Sequence, residues 1–233
     1  MSSPTKTLRS VSGSFAFLLA AAGIAYAGGH TWRVNEVFSN AAGNIQFVEL
    51  REVGGGANET GIVGRTVTST TRSFTIPGPA PSAPTSNKTL LFATPDFAAL
   101  PGVPTPNYIF PAGSVPFISP GGSDSVSYNP YDPGGIAYAT GVLPTDGVKS
   151  LNDGNIIACN TPKNYAGVTA TLNLGCSTLG DVDDSAVLDG GDIAGFVRSK
   201  LGVPDVDDNP ACAEYCTGSL AADINAFVND LLN

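Results

Sequence analysis

Between Gly180 and Ile193 the chain reads GDVDDSAVLDGGDI, and its oxygen-bearing side chains recur at spacings a hard cation requires. Counted as a twelve-residue loop, Asp181 takes position 1, Asp183 position 3, Ser185 position 5, the Val187 carbonyl position 7, Asp189 position 9 and Asp192 position 12. Ile193, Phe196, Val197 and Leu201 follow at i, i+3, i+4 and i+8, one apolar face of a short helix. The loop therefore feeds a helix. That helix returns, because DIAGFVRSKL at Asp192–Leu201 matches DINAFVNDLL at Asp223–Leu232 with an offset of 31 residues. The pattern predicts that Ile193, Phe196 and Val197 pack against Ile224, Phe227 and Val228, coupling closure of the loop on calcium to docking of the helices.

From about Gly180 to Asn233 the chain resembles a dockerin module, two EF-hand-type calcium loops each followed by a helix, and the first repeat carries the likeness residue by residue. The resemblance implies a calcium-ordered tail that docks onto a protein, either a cohesin-like partner or the chain's own preceding domain. Several features depart from it, beginning in the first loop, where position 6, normally Gly for a sharp turn, is Ala186 and position 5 is the neutral Ser185. In the second repeat Cys212, Cys216 and Leu220 fall where Asp181, Ser185 and Asp189 stand in the first, leaving Glu214 and Asp223 as ligands, so one calcium site is expected rather than two. Dockerins that bind cohesins often carry Ser-Thr at loop positions 10 and 11, where this chain has Gly190-Gly191 and Ala221-Ala222.

At the other end, Lys6 and Arg9 precede an apolar stretch, Phe15 to Tyr26, closing in Ala25-Tyr26-Ala27. This reads as a secretory signal peptide over residues 1–27, too short for a membrane span, and places the mature protein outside the cell or on its surface. Removing Lys6 and Arg9 moves the net charge from -9 to -11. Of the 20 acids, 11 lie in residues 181–233 beside two bases, giving -9 there and -2 for residues 28–180. That asymmetry marks a boundary between a domain at 28–178 and one at 179–233, and argues against nucleic acid or anionic membrane as partner. Cleavage after Ala27 would expose Gly28-Gly29-His30, whose amine, amides and imidazole could hold Cu(II) or Ni(II) in a square plane. Asn58-Glu59-Thr60 and Asn87-Lys88-Thr89 are glycosylation sequons.

Residues 28–178 show no long helical period. Short runs rich in Val, Ile, Thr, Phe and Tyr (WRVNEVF, IQFVEL, GIVGRTVTS, RSFTI, TLLFA, DSVSYN, GIAYATGVL) alternate with Gly, Pro, Asn and Ser, the signature of an antiparallel sandwich or barrel. A hairpin is expected at Ala41–Asn44 with Gly43 at positive φ, and a helical turn at Pro95–Leu100 capped by Thr94. The opening VNEVFSNAAGNIQFVELRE is similar to the start of a lamin-tail-like domain, with Val34–Val37 and Phe47–Leu50 carrying the match. That likeness implies an immunoglobulin-like β-sandwich with an adhesive or scaffolding role and no catalytic residues. The fold expected for the whole is thus mainly β, a sandwich followed by a small helical module of two loop-helix repeats.

Catalysis is weighed against this. Glu36 and Glu49 lie on neighbouring strands and could form a glycosidase pair, although Glu49, alternating with Phe47 and Arg51, could equally pair with a basic neighbour. The alternative to a scaffold is a secreted carbohydrate-active enzyme or carbohydrate-binding module tethered by its tail. A Ser-His-Asp triad has only His30 to draw on, near the expected new N-terminus. Asp124, Asp132, Asp146 and Asp153 sit among turn formers, where Asp commonly bonds local backbone. Four cysteines in an exported chain predict two disulfides, for which Cys159–Cys176 and Cys212–Cys216 keep each bond within one domain, although three pairings are open. No CxxC suggests zinc.

Overall fold

The computed structural model describes residues 28–233, so the expected leader at 1–27 lies outside the described residues. Ten strands run in chain order: β1 Trp32–Ser39, β2 Gln46–Glu52, β3 Thr66–Thr68, β4 Ser73–Thr75, β5 Thr89–Ala93, β6 Tyr108–Ile109, β7 Asp124–Asn129, β8 Asp132–Tyr138, β9 Lys149–Asn152 and β10 Ile156–Cys159. One sheet has the order β10-β9-β1-β2-β5-β6 and the other β4-β3-β7-β8, and all pairings are antiparallel except β5 with β6. Trp32, Leu50 and Phe92 from the larger sheet meet Val67, Val126 and Tyr128 from the smaller in a single buried cluster. Two sheets closed on one apolar core give the mainly β, layered architecture expected of a sandwich. No helix among the described residues is long and apolar enough to cross a membrane.

The first hairpin turns where Gly43 adopts φ 71°, with Gly43 N donating to Asn40 O at 3.0 Å and Asn40 N to Ile45 O at 3.1 Å. The helical turn α1, Pro95–Ala98, starts at Thr94, whose Oγ1 accepts from Phe97 N, and stops short of the expected Leu100. In β1 the register shifts between Val34 and Glu36. One extra residue reverses the inward and outward alternation, so Val34 and Val37 both join the core while Glu36 turns to the outer face opposite Glu49.

That outer face is covered too, which explains why β2 and β5 are buried almost throughout rather than at alternate residues. Residues 160–165 cross the sheet strand by strand. Asn160 Nδ2 donates to Val148 O, Thr161 N to Glu36 on β1, and Lys163 N to Glu49 on β2; Asn164 O accepts from Thr89 Oγ1 on β5, and Tyr165 N reaches Asn107 before β6. Side chains here do what a ladder partner cannot, since the strap runs across the strands. Beyond it Leu172 joins Phe38, Phe47, Leu91 and Phe97 in a second apolar cluster.

The tail holds α2, Asp192–Lys200, a 3-10 turn at Pro210–Ala213, and α3, Leu220–Leu231, whose N-cap Ser219 accepts from Ala222 N. Phe196 and Phe227 stack at 4.0 Å between centroids over Val182 and Cys212. Burying two such rings is worth about 2 kcal/mol each. The predicted helix contact is corrected in one respect: Ile193, Val197, Ile224 and Val228 are not packed together but stand 41–48% exposed. The disulfide pairing is corrected as well. Cys159 bonds Cys216 and Cys176 bonds Cys212, so both bridges cross the boundary expected at 178/179 and staple the tail to the sandwich. The choice of within-domain pairs failed because the Pro210–Ala213 turn lies against the sandwich end, where Asn173 Nδ2 donates to Ala211 O and Lys149 pairs with Glu214.

Candidate metal centre

In the first loop the carboxylates of Asp181, Asp183 and Asp192 converge, one oxygen of each lying within 4.8 Å of the others. Asp181 and Asp192 are buried, and the loop wraps around them through backbone amides. Asp181 accepts from Ser185 N at 3.0 Å and Ala186 N at 2.9 Å, while Asp192 accepts from Val182 N at 2.7 Å, Asp183 N at 3.2 Å and Asp189 N at 2.9 Å. Bonds from Ser185 hold the Asp183 carboxyl below the usual carboxylate range. Other expected ligands are engaged locally: Ser185 Oγ donates to Val187 O at 3.1 Å, and Asp189 accepts from Gly191 N at 2.7 Å outside the three-carboxylate cluster. Ala186 has φ 66°, at the loop position normally reserved for glycine. An all-oxygen donor set with three carboxylates fits a hard cation such as calcium.

The second loop is organised differently. Asp223, the counterpart of Asp192, accepts from Thr217 N at 3.0 Å and Thr217 Oγ1 at 2.6 Å, and its other oxygen takes Lys200 Nζ at 2.7 Å. Lys200 also reaches Glu214 at 3.4 Å, whose second oxygen pairs with Lys149 of β9 at 3.3 Å. Burial alone would push the Asp223 carboxyl up, but the bonds from Lys200 and Thr217 outweigh it and leave it below the usual range. The ammonium of Lys200 thus supplies the positive charge at the head of α3. Sequence reasoning passed over it, though a signal existed: the repeat puts Leu231 at the equivalent position, and Lys200 is one of two bases in an acidic tail.

Glu36 and Glu49 are brought together, as expected of neighbouring strands, but beneath the strap. Glu36 accepts from Ser150 Oγ at 2.6 Å, Thr161 N at 2.8 Å and Thr161 Oγ1 at 3.0 Å; Glu49 accepts from Asn35 Nδ2 and Lys163 N, each at 2.8 Å. Burial pushes the Glu36 carboxyl up despite those bonds, and burial followed by repulsion from Glu36 pushes Glu49 up to about 8. With exposures of 0% and 3%, both are spent on holding residues 161–163 rather than facing solvent. His30 N and Nδ1, two of the nitrogens copper would need, both contact Glu59 Oε2, at 2.9 and 3.2 Å. Asp124, Asp132 and Asp146 accept from backbone amides, Asp124 from Thr70, Ser119 and Ser125, Asp132 from Val34 and Asp146 from Val148 and Lys149. No family model, curated protein or solved structure matches the chain.

Proposed function

We propose that this is an exported, non-enzymatic scaffold or adhesion protein: a lamin-tail-like, immunoglobulin-type sandwich carrying a calcium-stabilised, dockerin-like tail that docks a protein partner. The observation that carries the reading is a duplicated apolar stripe. Ile193 and Val197 on α2 and Leu201 just past its end are 46, 48 and 72% exposed, and their counterparts 31 residues on, Ile224, Val228 and Leu232, are 42, 41 and 78% exposed. Helices that hide Phe196 and Phe227 and leave the same three apolar positions uncovered in both repeats offer a contact face. Two disulfides suit an oxidising, extracellular setting. Against the alternative, a secreted carbohydrate-active enzyme, stands the use of Glu36 and Glu49 as hydrogen-bond acceptors under the strap.

Asp181, Asp183 and Asp192 would hold the ion, with Ser185, Val187 and Asp189 as further oxygen donors, and neutralising their mutual repulsion is what calcium would contribute. Calorimetric titration of the disulfide-bonded protein should find one calcium per chain, lost in Asp181→Ala and retained in Glu214→Ala. No heat, or two ions, would sink the calcium assignment. For docking, wild type and a Val197→Asp, Val228→Asp variant would be used as bait on the secreted and surface fraction of the source cells. A protein held by wild type and lost with the variant supports the reading, and equal retention removes the stripe as its basis.

A further inference from the structure

The sandwich carries a cationic face at odds with the acidity of the chain. Of the nine acids in residues 28–180, Glu36, Glu49, Glu52, Glu59 and Asp124 are buried. The bases are treated differently. Arg33 and Arg51 are direct cross-strand partners on β1 and β2, and Arg51 is in turn the partner of Thr89 on β5. Like charges placed opposite one another on a sheet are destabilising, and strands about 4.8 Å apart keep them close. Among the described residues no carboxylate lies within ion-pairing distance of Arg33, Arg51, Lys88 or Lys163.

Thr89, the partner of Arg51, lines a cavity beside this row. A cavity of about 180 Å³ is lined by Lys88, Thr89 and Lys163, and one of about 470 Å³ lies on the other side of Lys88. Both share Lys88, Asn164 and Tyr165, the ammonium of Lys88 standing 5.4 Å from the centre of the Tyr165 ring. Neither has an acidic side chain in its lining, which is otherwise hydroxyl, amide, proline and tyrosine. Glu49, which takes Lys163 N, and Glu52, which takes Asn87 N, are buried and already accept backbone amides. Such a surface offers fixed cations for anionic groups, with hydroxyls and amides for a polyhydroxylated chain between them.

We propose that this face binds a linear acidic polysaccharide, whose carboxylate or sulfate groups sit on Arg51, Lys88 and Lys163 along the strap. The site is on the sandwich and independent of calcium and of the tail's apolar stripe. Two adjoining cavities that share Lys88, Asn164 and Tyr165 fit a chain better than a single small anion, because successive sugars can be gripped in each.

The test is affinity electrophoresis of the full disulfide-bonded protein in gels containing polygalacturonate, dextran sulfate or neutral dextran. Retention by one or both acidic polymers, none by neutral dextran, and weakening as salt rises toward about 0.5 M are expected. Retention by polygalacturonate alone assigns carboxylate as the ligand, and by dextran sulfate alone sulfate. Arg51→Glu and Lys163→Glu should each weaken retention about tenfold or more. Arg72→Glu, the same change of net charge at a distant exposed site, should leave it intact. Arg51→Gln and Lys163→Gln, which avoid introducing a new carboxylate, should show a smaller loss in the same direction. Equal weakening by Arg72→Glu, unchanged retention by the Arg51 and Lys163 variants, or retention by single-stranded DNA with none by either acidic polysaccharide would overturn the proposal.

Discussion

Asp192 and Asp223 stand 31 residues apart at the head of two related helices, yet the charge each must balance is balanced from different sources. Around Asp192 two more carboxylates converge and the loop amides do the wrapping, an arrangement that gains from an external cation. Around Asp223 the cation is internal, Lys200 Nζ at 2.7 Å, and the loop is pinned by Cys212 and Cys216 to the sandwich. A duplicated unit has thus kept converging carboxylates in one half, while in the other the cation and the fastening are covalent parts of the chain.

The largest way to break that contrast is reduction. The bridges span 57 and 36 residues, so each should be worth about 4 kcal/mol by loop closure. Because both end in the second repeat, replacing all four cysteines by serine should release α3 before α2. Native-state hydrogen exchange would read this directly. Equal loss of protection in both helices in the presence of calcium would show that the first loop does not stand on its own ion.

The second test compares the sandwich with the tail by the sign of their pH dependence. Glu49 is pushed up to about 8, so its contribution is fully present below about pH 4.5 and is lost as pH rises toward about 8. Asp223 is held low, so its contribution is present above the ordinary carboxylate value and is lost as pH falls through its depressed one. Urea unfolding followed from pH 3 to 9 should show an alkaline decline on the order of a few kcal/mol for the sandwich. Glu49→Gln should flatten that decline while lowering stability at pH 5, since its amide turns a donor toward Asn35 or Lys163 N. An unchanged alkaline slope would exclude Glu49 as its origin.

A smaller effect isolates the internal cation. Lys200→Met keeps the bulk against Phe196 but strands the buried Asp223, while Glu214 retains Lys149, and should cost about 3 kcal/mol in the second repeat. The acid limb from Asp223 should disappear with it. A variant as stable as wild type would mean that Thr217 alone satisfies Asp223.

Much of the fold could be read locally, because alternation, turn residues and caps are local. Phe47, Val48 and Leu50 lie in the strand their pattern indicated, Gly43 turns the hairpin, and Thr94 caps the short helix. What escaped was set by distance in the chain. Nothing near Cys159 says that it meets Cys216, and nothing in NTPKNY announces that Thr161 and Lys163 will lie on Glu36 and Glu49, about 114 to 125 residues away. In the loop, Asp181, Asp183 and Asp192 follow from spacing, whereas Asp189 turning to Gly191 N depends on backbone torsions that composition does not reveal.

The finest test lies at Ala186, where the first loop uses a side chain at φ 66°. A left-handed residue other than glycine costs about 1–2 kcal/mol, because Cβ crowds the following carbonyl. Glycine removes that cost but gives the unfolded chain more freedom, roughly 0.5–1 kcal/mol. Ala186→Gly should therefore stabilise the closed loop by about 0.5–1 kcal/mol and raise calcium affinity a few-fold, since about 1.4 kcal/mol is tenfold. Asp184 has φ 52° as well, but Asp tolerates this conformation better and its carboxylate accepts from Asn209 at 3.2 Å, so Asp184→Gly should gain nothing. Paired calcium titrations and thermal melts of the two variants decide the matter. A loss of affinity in Ala186→Gly would show that the strained turn is required for the oxygens to converge, whereas a gain with no change at Asp184→Gly would place the loop's imperfection at this one methyl group.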